Sequence, residues 1–196
     1  MYAFFRGKIA LLRENYVVVD SAGVGYKIFV TTRFLQQTVP GSEETLFTHL
    51  VVREDELSLY GFFSEQEKEM FERLVSISGI GPKVALAILS FFTHGEIASA
   101  VFASDASAFT KVSGVGKKTA ERIVLELKDK VQVGEAFAGG MGVAEDAEMP
   151  ANEAAQALVS LGYEKVDAVA AVQAVHALAD TAEELIVLAL KRLDRR

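Results

Sequence analysis

The chain has 196 residues, with 20 Lys and Arg against 27 Asp and Glu, a formal net charge of −7 and no cysteine. Its apolar share of 51% is enough for a core in one large domain or two to three small ones. The absence of cysteine excludes disulfides and thiolate metal sites, and the three histidines, His49, His94 and His176, lie far apart in sequence and are assigned no chemistry.

Residues 1–63 read as strands. Phe4 to Leu12 is apolar with interspersed charge, Tyr16 to Asp20 is short and β-branched, and Tyr26 to Thr32 alternates after a turn over Ala22 to Gly25. Arg33 to Val39 has room for one or two helical turns before Pro40-Gly41. Thr45 to Val52 and Leu57 to Phe63 are two further strands flanking the charged run Arg53-Glu54-Asp55-Glu56. So many short strands in so short a stretch fit a small closed barrel of the OB type, though periodicity alone does not give its topology.

At Ser64 the period changes. Ser64-Glu-Gln-Glu67 has the form of a capping box, and Met70, Phe71 and Leu74 begin a helical stripe. Helices are expected over Pro82 to Phe92, Gly95 to Phe102, Asp105 to Lys111 and Lys117 to Lys130, with Thr93 and Ser104 as caps. Two phrases in this region match. Ile77-Ser-Gly-Ile-Gly-Pro-Lys83 and Val112-Ser-Gly-Val-Gly-Lys-Lys118 share the pattern apolar-Ser-Gly-apolar-Gly-x-Lys, and each precedes a helical run. Glycines in such a turn allow close approach to the main chain. The amides of the following helix then point outward with the positive end of its dipole behind them. Each copy is an anion socket, and two in tandem suit two phosphates, or two strands, of a nucleic-acid backbone. A single copy could equally be a tight helix–helix turn, because glycine also ends helices. A nucleotide-binding P-loop is excluded by spelling: Gly116-Lys117 is followed by Lys118, and Lys111 stands where the earlier glycine is required.

Residues 134–150 hold Gly, Ala and acidic side chains without an apolar period and read as a flexible linker. Residues 151–196 carry three short helical patterns, marked by Leu158 and Leu161, by Val166 to Val175, and by Leu185, Leu188 and Leu193 after a Thr181 cap. A bundle this small, acidic and tethered fits protein docking better than catalysis. Charge supports the division. Residues 1–63 carry 6 basic and 7 acidic side chains, 64–133 carry 9 and 9, and 134–196 carry 5 and 11. The acid excess therefore sits away from the sockets, and local basic contacts on a body that otherwise repels phosphate are expected. The opening residues lack a secretory pattern and no apolar run reaches membrane-spanning length, so a soluble cytoplasmic protein without a membrane partner is expected.

Barrel, double hairpin, acidic linker and three-helix tail in this order resemble the RuvA family, the bacterial Holliday-junction-binding subunits of a branch-migration machine. The likeness spans essentially the whole chain and includes Met1 to Gly7, the turn Gly23-Val-Gly-Tyr26, Glu54-Asp55 followed by Leu59-Tyr-Gly-Phe62, and both hairpins. It implies an OB-type barrel over 1–63, an all-α tandem helix-hairpin-helix domain over 64–133, a linker over 134–150 and a three-helix motor-docking domain over 151–196. It implies DNA contacts at Gly79, Ile80, Gly81 and Lys83, and at Gly114, Val115, Gly116, Lys117, Lys118 and Arg122. It implies an acidic pin at Glu54 and Asp55. The implied partners are four-way junction DNA, the AAA+ motor RuvB through residues 151–196, and the resolvase RuvC. The implied assembly is a homotetramer, singly or as two tetramers around the DNA. No cofactor, metal or catalytic residue is implied, and the role is to hold junctions open for branch migration in recombination and repair.

Two other readings stay open at this stage. Some glycosylases and nucleases carry helix-hairpin-helix elements. A glycosylase needs a base pocket with a catalytic Asp or Lys. A nuclease needs clustered metal-binding carboxylates, for which Glu54-Asp55-Glu56 is the sole candidate. Alternatively the hairpins are structural turns in a purely protein-binding scaffold, and Glu54-Asp55 is a solvated charged turn.

Overall fold

The computed structural model describes residues 2–137 and 145–193. Five strands, β1 (Phe4–Leu12), β2 (Tyr16–Ser21), β3 (Val24–Val30), β4 (Glu43–Val52) and β5 (Leu57–Phe62), close into a barrel in the order β1-β2-β3-β5-β4. All pairings are antiparallel except β3 with β5, and β1 closes the ring against β4. Alternation explains the strands: in β2, Val17 and Val19 point into the core while their neighbours face outward. Helix α1 (Thr32–Gln37), capped by Thr31, drives Phe34 into the same core beside Phe5, Ile9, Ile28 and Leu46.

The β2–β3 turn is tighter than expected. Val24 and Gly25 pair with Ser21 and Asp20, which leaves only Ala22 and Gly23 to turn the chain. Both have positive φ, 53° and 84°, as a two-residue hairpin with the right twist demands. Asp20 Oδ1 accepts from the Gly23 amide and supports the turn.

Two compact units divide the chain. The first comprises residues up to 91 together with 112–114, and the second comprises 92–111 and the residues from 115 onward. Helices α2 (Glu65–Val75) and α3 (Pro82–Phe91) thus belong with the barrel. Aromatic packing accounts for it: Phe71 of α2 lies against Tyr60 and Phe62 of β5, with ring centroids 5.1 and 4.9 Å away. Ser64 caps α2, but Glu67 accepts from the Phe63 amide rather than from Ser64, so the box expected there is displaced by one residue.

The second unit holds α4 (His94–Phe102), α5 (Ala106–Phe109), α6 (Lys117–Leu127), a 3-10 turn (Val133–Phe137), α7 (Glu145–Ser160), α8 (Lys165–Gln173), a second 3-10 turn (His176–Leu178) and α9 (Ala182–Leu193). Thr93 and Glu96 form a full capping box at α4. At α5 the cap is Asp105 and not Ser104, whose φ of 53° turns the chain instead. Helices α7, α8 and α9 pack on one another, and α8 also touches α4.

Within the linker expected over 134–150, the described residues lie in regular elements. Residues 134–137 lie in the first 3-10 turn, and 138–144 fall outside the described residues. Helix α7 already begins at Glu145 and runs through Pro150, its sixth residue, whose missing N–H leaves one bond of the helix unmade. Burial of Val133 and Ala136, together with a bond from Ser99 Oγ to the Ala136 carbonyl of 2.7 Å, holds the turn in place.

Candidate nucleic-acid interface

In the first hairpin, Ile77 and Ile80 point inward and are buried, and the Ile80 amide donates to the Ile77 carbonyl at 3.0 Å. Gly79 between them has φ 91°, a conformation that side chains resist. Gly81 then starts α3, its carbonyl accepting from both Val84 and Ala85 amides. Lys83 is exposed in the first turn.

The second hairpin repeats this plan. Val112 and Val115 are buried, Gly114 has φ 87° and lies against Val84, and Gly116 is the N-cap of α6. No side chain caps α6, and its first turn carries no acidic residue. Lys117 and Lys118 are exposed and form no ion pair among the described residues. Arg122 is also exposed but approaches Glu126 one turn on, with Nε 4.0 Å from the carboxylate.

The glycines separate into two kinds. Gly79 and Gly114 are needed by the turn itself, because φ is positive there. Gly81 and Gly116 have no such φ, and a Cβ added to either meets nothing within 4 Å. Folding does not require a bare backbone at these two positions. Ser, Asn or Asp would cap the following helix better, by accepting from its free amides. Glycine leaves the first amides of α6 open to an outside acceptor, whereas at α3 Pro82 has no N–H and the Val84 amide already donates to Gly81, which leaves the Lys83 amide. Ile80 and Val115, in contrast, have their side chains in the core, so what they can offer a ligand is the main chain.

The acidic run forms the tip of the β4–β5 hairpin. The Arg53 amide donates to the Glu56 carbonyl at 2.9 Å and closes the turn, with Glu54 and Asp55 exposed at its apex. One face of this hairpin and the first glycine turn line a common groove of about 240 Å³, bounded by Arg53, Glu56, Ser58, Tyr60, Gly81 and Lys83. Ser58 Oγ donates to Glu56 Oε1 at 2.6 Å. Burial, with the nearby Glu56 carboxylate, raises the Tyr60 phenol above its ordinary pKa, and Arg53 works against that. Sequence reasoning passed over Arg53. Its place beside the acidic pair was visible, but its approach to a turn some thirty residues away was not. Among the described residues, no group of three or more His, Cys, Asp or Glu side chains is arranged to hold a metal ion.

Three family descriptions match the chain: the RuvA N-terminal domain over residues 1–61, a SAM-like helix-hairpin-helix tandem over 71–129 and the RuvA C-terminal domain over 150–194. Among curated proteins, one from Alkaliphilus oremlandii is 44% identical over 193 residues, covering 98% of this chain and 99% of that relative. One from Symbiobacterium thermophilum is 43% identical over 206 residues, covering all of both. One from Pseudomonas syringae pv. syringae is 42% identical over 200 residues, covering 97% and 98%. Each is named Holliday junction branch migration complex subunit RuvA.

Proposed function

The chain belongs to the RuvA family, and on that premise we propose that it is the non-catalytic, junction-binding subunit of a branch-migration complex, acting with a RuvB motor. The observation that carries this reading is the pair of N-cap glycines, Gly81 and Gly116, which the fold does not need: Gly116 leaves the first amides of α6 uncovered beside exposed Lys117 and Lys118, and Gly81 bares the backbone ahead of exposed Lys83. Such sockets hold phosphate oxygens through the main chain and read no bases, so binding selects the shape of the DNA and not its sequence. Gly79, Ile80, Gly81 and Lys83 would form one contact, the first and third through the approach of bare backbone. Gly114, Val115, Gly116, Lys117, Lys118 and Arg122 would form the other.

A homotetramer with fourfold symmetry gives the acidic tip its use. Four copies of Glu54 and Asp55 near one axis bring about eight carboxylates together, and these repel phosphates entering the centre. Screening confines that repulsion to about 8 Å at physiological salt, so it acts only on strands close to the axis. The tail, residues 151–196, would dock the motor, and the resolvase RuvC would be a further partner at the junction. The nuclease or glycosylase alternative finds no support in the comparisons, whose full-length relatives are named as a branch-migration subunit.

The test is a gel shift with four-way, duplex and single-stranded DNA, using the wild-type chain and Lys117→Glu with Lys118→Glu. The wild type should prefer the four-way form, with a log–log salt slope of roughly −0.9 per phosphate neutralised. The double variant should lose most binding while keeping its circular dichroism, because both side chains are exposed. Normal binding by the double variant would remove the socket argument.

A further inference from the structure

The first unit carries a hollow that the phosphate contacts leave unused. It measures about 280 Å³ and is walled by barrel residues Phe29 and Tyr60 and by Lys83, Leu86, Ala87 and Ser90 of α3. The Thr32 amide donates to Ser90 Oγ at 3.0 Å and ties the start of α1 to α3, so the fold holds these walls together. The aromatic wall is the outer end of a stack. Phe71, Tyr60 and Phe29 follow one another with ring centroids 5.1 and 5.5 Å apart and planes inclined at 28° and 29°. Phe71 and Tyr60 are buried and Phe29 is half-buried, so packing fixes the ring that the hollow presents.

Position and charge narrow what fits. Tyr60 and Lys83 line both this hollow and the groove beside the acidic tip, so the two meet at these residues. A strand parted at the tip with its phosphate on Lys83 brings its base beside the hollow. Glu14 also lines the hollow, so a phosphate inside would meet a like charge and a neutral ring would not. The space is slightly smaller than sites for drug-sized ligands, about 300–1,000 Å³, and suits one base better than a base pair. Exposed Lys27 completes the surroundings. Its Nζ lies 4.6 Å from the Tyr16 ring centroid and 5.0 Å from that of Phe29. Such a contact is weak at a surface. A nucleotide can replace it on both sides, the base taking the ring as the phosphate takes the ammonium.

We propose that this hollow receives one unpaired nucleobase of a strand parted at the junction centre, stacked on Phe29, with its phosphate held between Lys83 and Lys27. The proposal rests on the reading of the chain as a junction-binding subunit and adds a base site to the phosphate contacts. Stacking tolerates any base, because every base has a π face, so the site keeps binding independent of sequence. Its use is to hold an opened base away from its old partner while the pairs exchange.

The experiment measures binding of the full-length chain to two four-way junctions that differ only at the nucleotides flanking the crossover. These are mismatched bases in one junction and abasic sites in the other, so neither can pair. Wild type should bind the mismatched junction about tenfold more tightly, as stacking of a base on an aromatic ring gives. Phe29→Ala removes the platform, and Ala87→Leu fills the hollow from α3 with a good helix former. Each should bring the ratio of the two affinities close to one while leaving affinity for the abasic junction unchanged. Circular dichroism reports whether each variant folds, and the two act from different elements. Lys27→Gln should lower the log–log salt slope on the mismatched junction by about 0.9, for one phosphate no longer neutralised. A wild-type ratio near one, or a ratio that neither folded variant lowers, would show that no base enters the hollow. An unchanged salt slope would mean that Lys27 stays on its rings, which also overturns the proposal. If wild type binds neither junction better than duplex, it is the junction-binding reading that fails.

Discussion

Gln173 Nε2 donates to Ser99 Oγ at 2.9 Å, and the same hydroxyl donates to the Ala136 carbonyl at 2.7 Å. One serine in the middle of α4 therefore joins a core helix, the turn after α6 and the last residue of α8. Within the second unit the tail is not an isolated bundle on a string, because a polar link fastens it to α4.

Removing that link should loosen the tail without unfolding it. Ser99→Ala removes the shared partner of the Gln173 amide and the Ala136 carbonyl and leaves them only their direct 3.4 Å contact, at a cost of about 1 kcal/mol in local opening of α8. Hydrogen exchange of α8 amides measures it. In a double-mutant cycle with Gln173→Leu, the second substitution should cost less once Ser99 is gone, the remainder being the direct bond from Gln173 to the Ala136 carbonyl. Fully additive effects would mean that the two side chains do not act together.

The two kinds of glycine should separate stability from binding. Gly79→Ala and Gly114→Ala place a side chain at φ 91° and 87°, and each should destabilise by about 1–2 kcal/mol. Gly81→Ala and Gly116→Ala meet no neighbour, and because the N-cap preference for Gly over Ala opposes the gain from a stiffer unfolded chain, each should change stability by less than about 1 kcal/mol. Their methyl groups should nonetheless weaken junction binding, because they occupy the approach to the helix amides. Thermal melts and gel shifts on the same four variants decide the matter. A Gly81→Ala chain that binds normally would show that nothing approaches that backbone closely.

Neutralising the hairpin tip by Glu54→Gln with Asp55→Asn should leave DNA binding equal or tighter, with less preference for four-way junction over duplex. Both side chains are exposed, so the barrel should melt as before. The readout is the ratio of the two dissociation constants. An unchanged ratio returns the pair to the role of a solvated turn.

Asp105 should make a small, acid-sensitive contribution at the start of α5. Its carboxylate accepts from Ser107 Oγ at 2.6 Å and from the Ala108 amide at 3.2 Å, and these bonds hold its pKa below the ordinary value. The charged form is thus favoured in the folded chain. Its stabilising effect is complete above the unfolded-state pKa, near 3.9, and is lost as pH falls through the lower folded value. The stability difference between wild type and Asp105→Ala should be constant from about pH 7 to 5 and shrink below about pH 4. A titration of the Asp105 carboxyl by NMR with an unshifted midpoint would contradict the assignment.

What the sequence determined by itself was what is encoded within a few neighbouring residues. The alternation of Val17 and Val19, the change of period at Ser64 and the twice-written glycine phrase each depend on local backbone preference and burial on one face. The barrel, the helical hairpins and the three tail helices were legible for that reason, as were the exposed Lys117 and Lys118. The tertiary structure decided whatever joins residues far apart in the chain. Phe71 stacking on Tyr60 puts α2 with the barrel. The groove that brings Arg53 to Gly81 and Lys83, and the hydroxyl of Ser99 that fastens residue 173 beside residue 136, follow no periodicity. The two sorts of glycine were also spelled alike. Only the backbone angle at Gly79 and Gly114, and the empty space around Gly81 and Gly116, tell a residue the turn needs from one that leaves room for a ligand. That difference lies in three-dimensional surroundings, which the same letter in the same motif does not record.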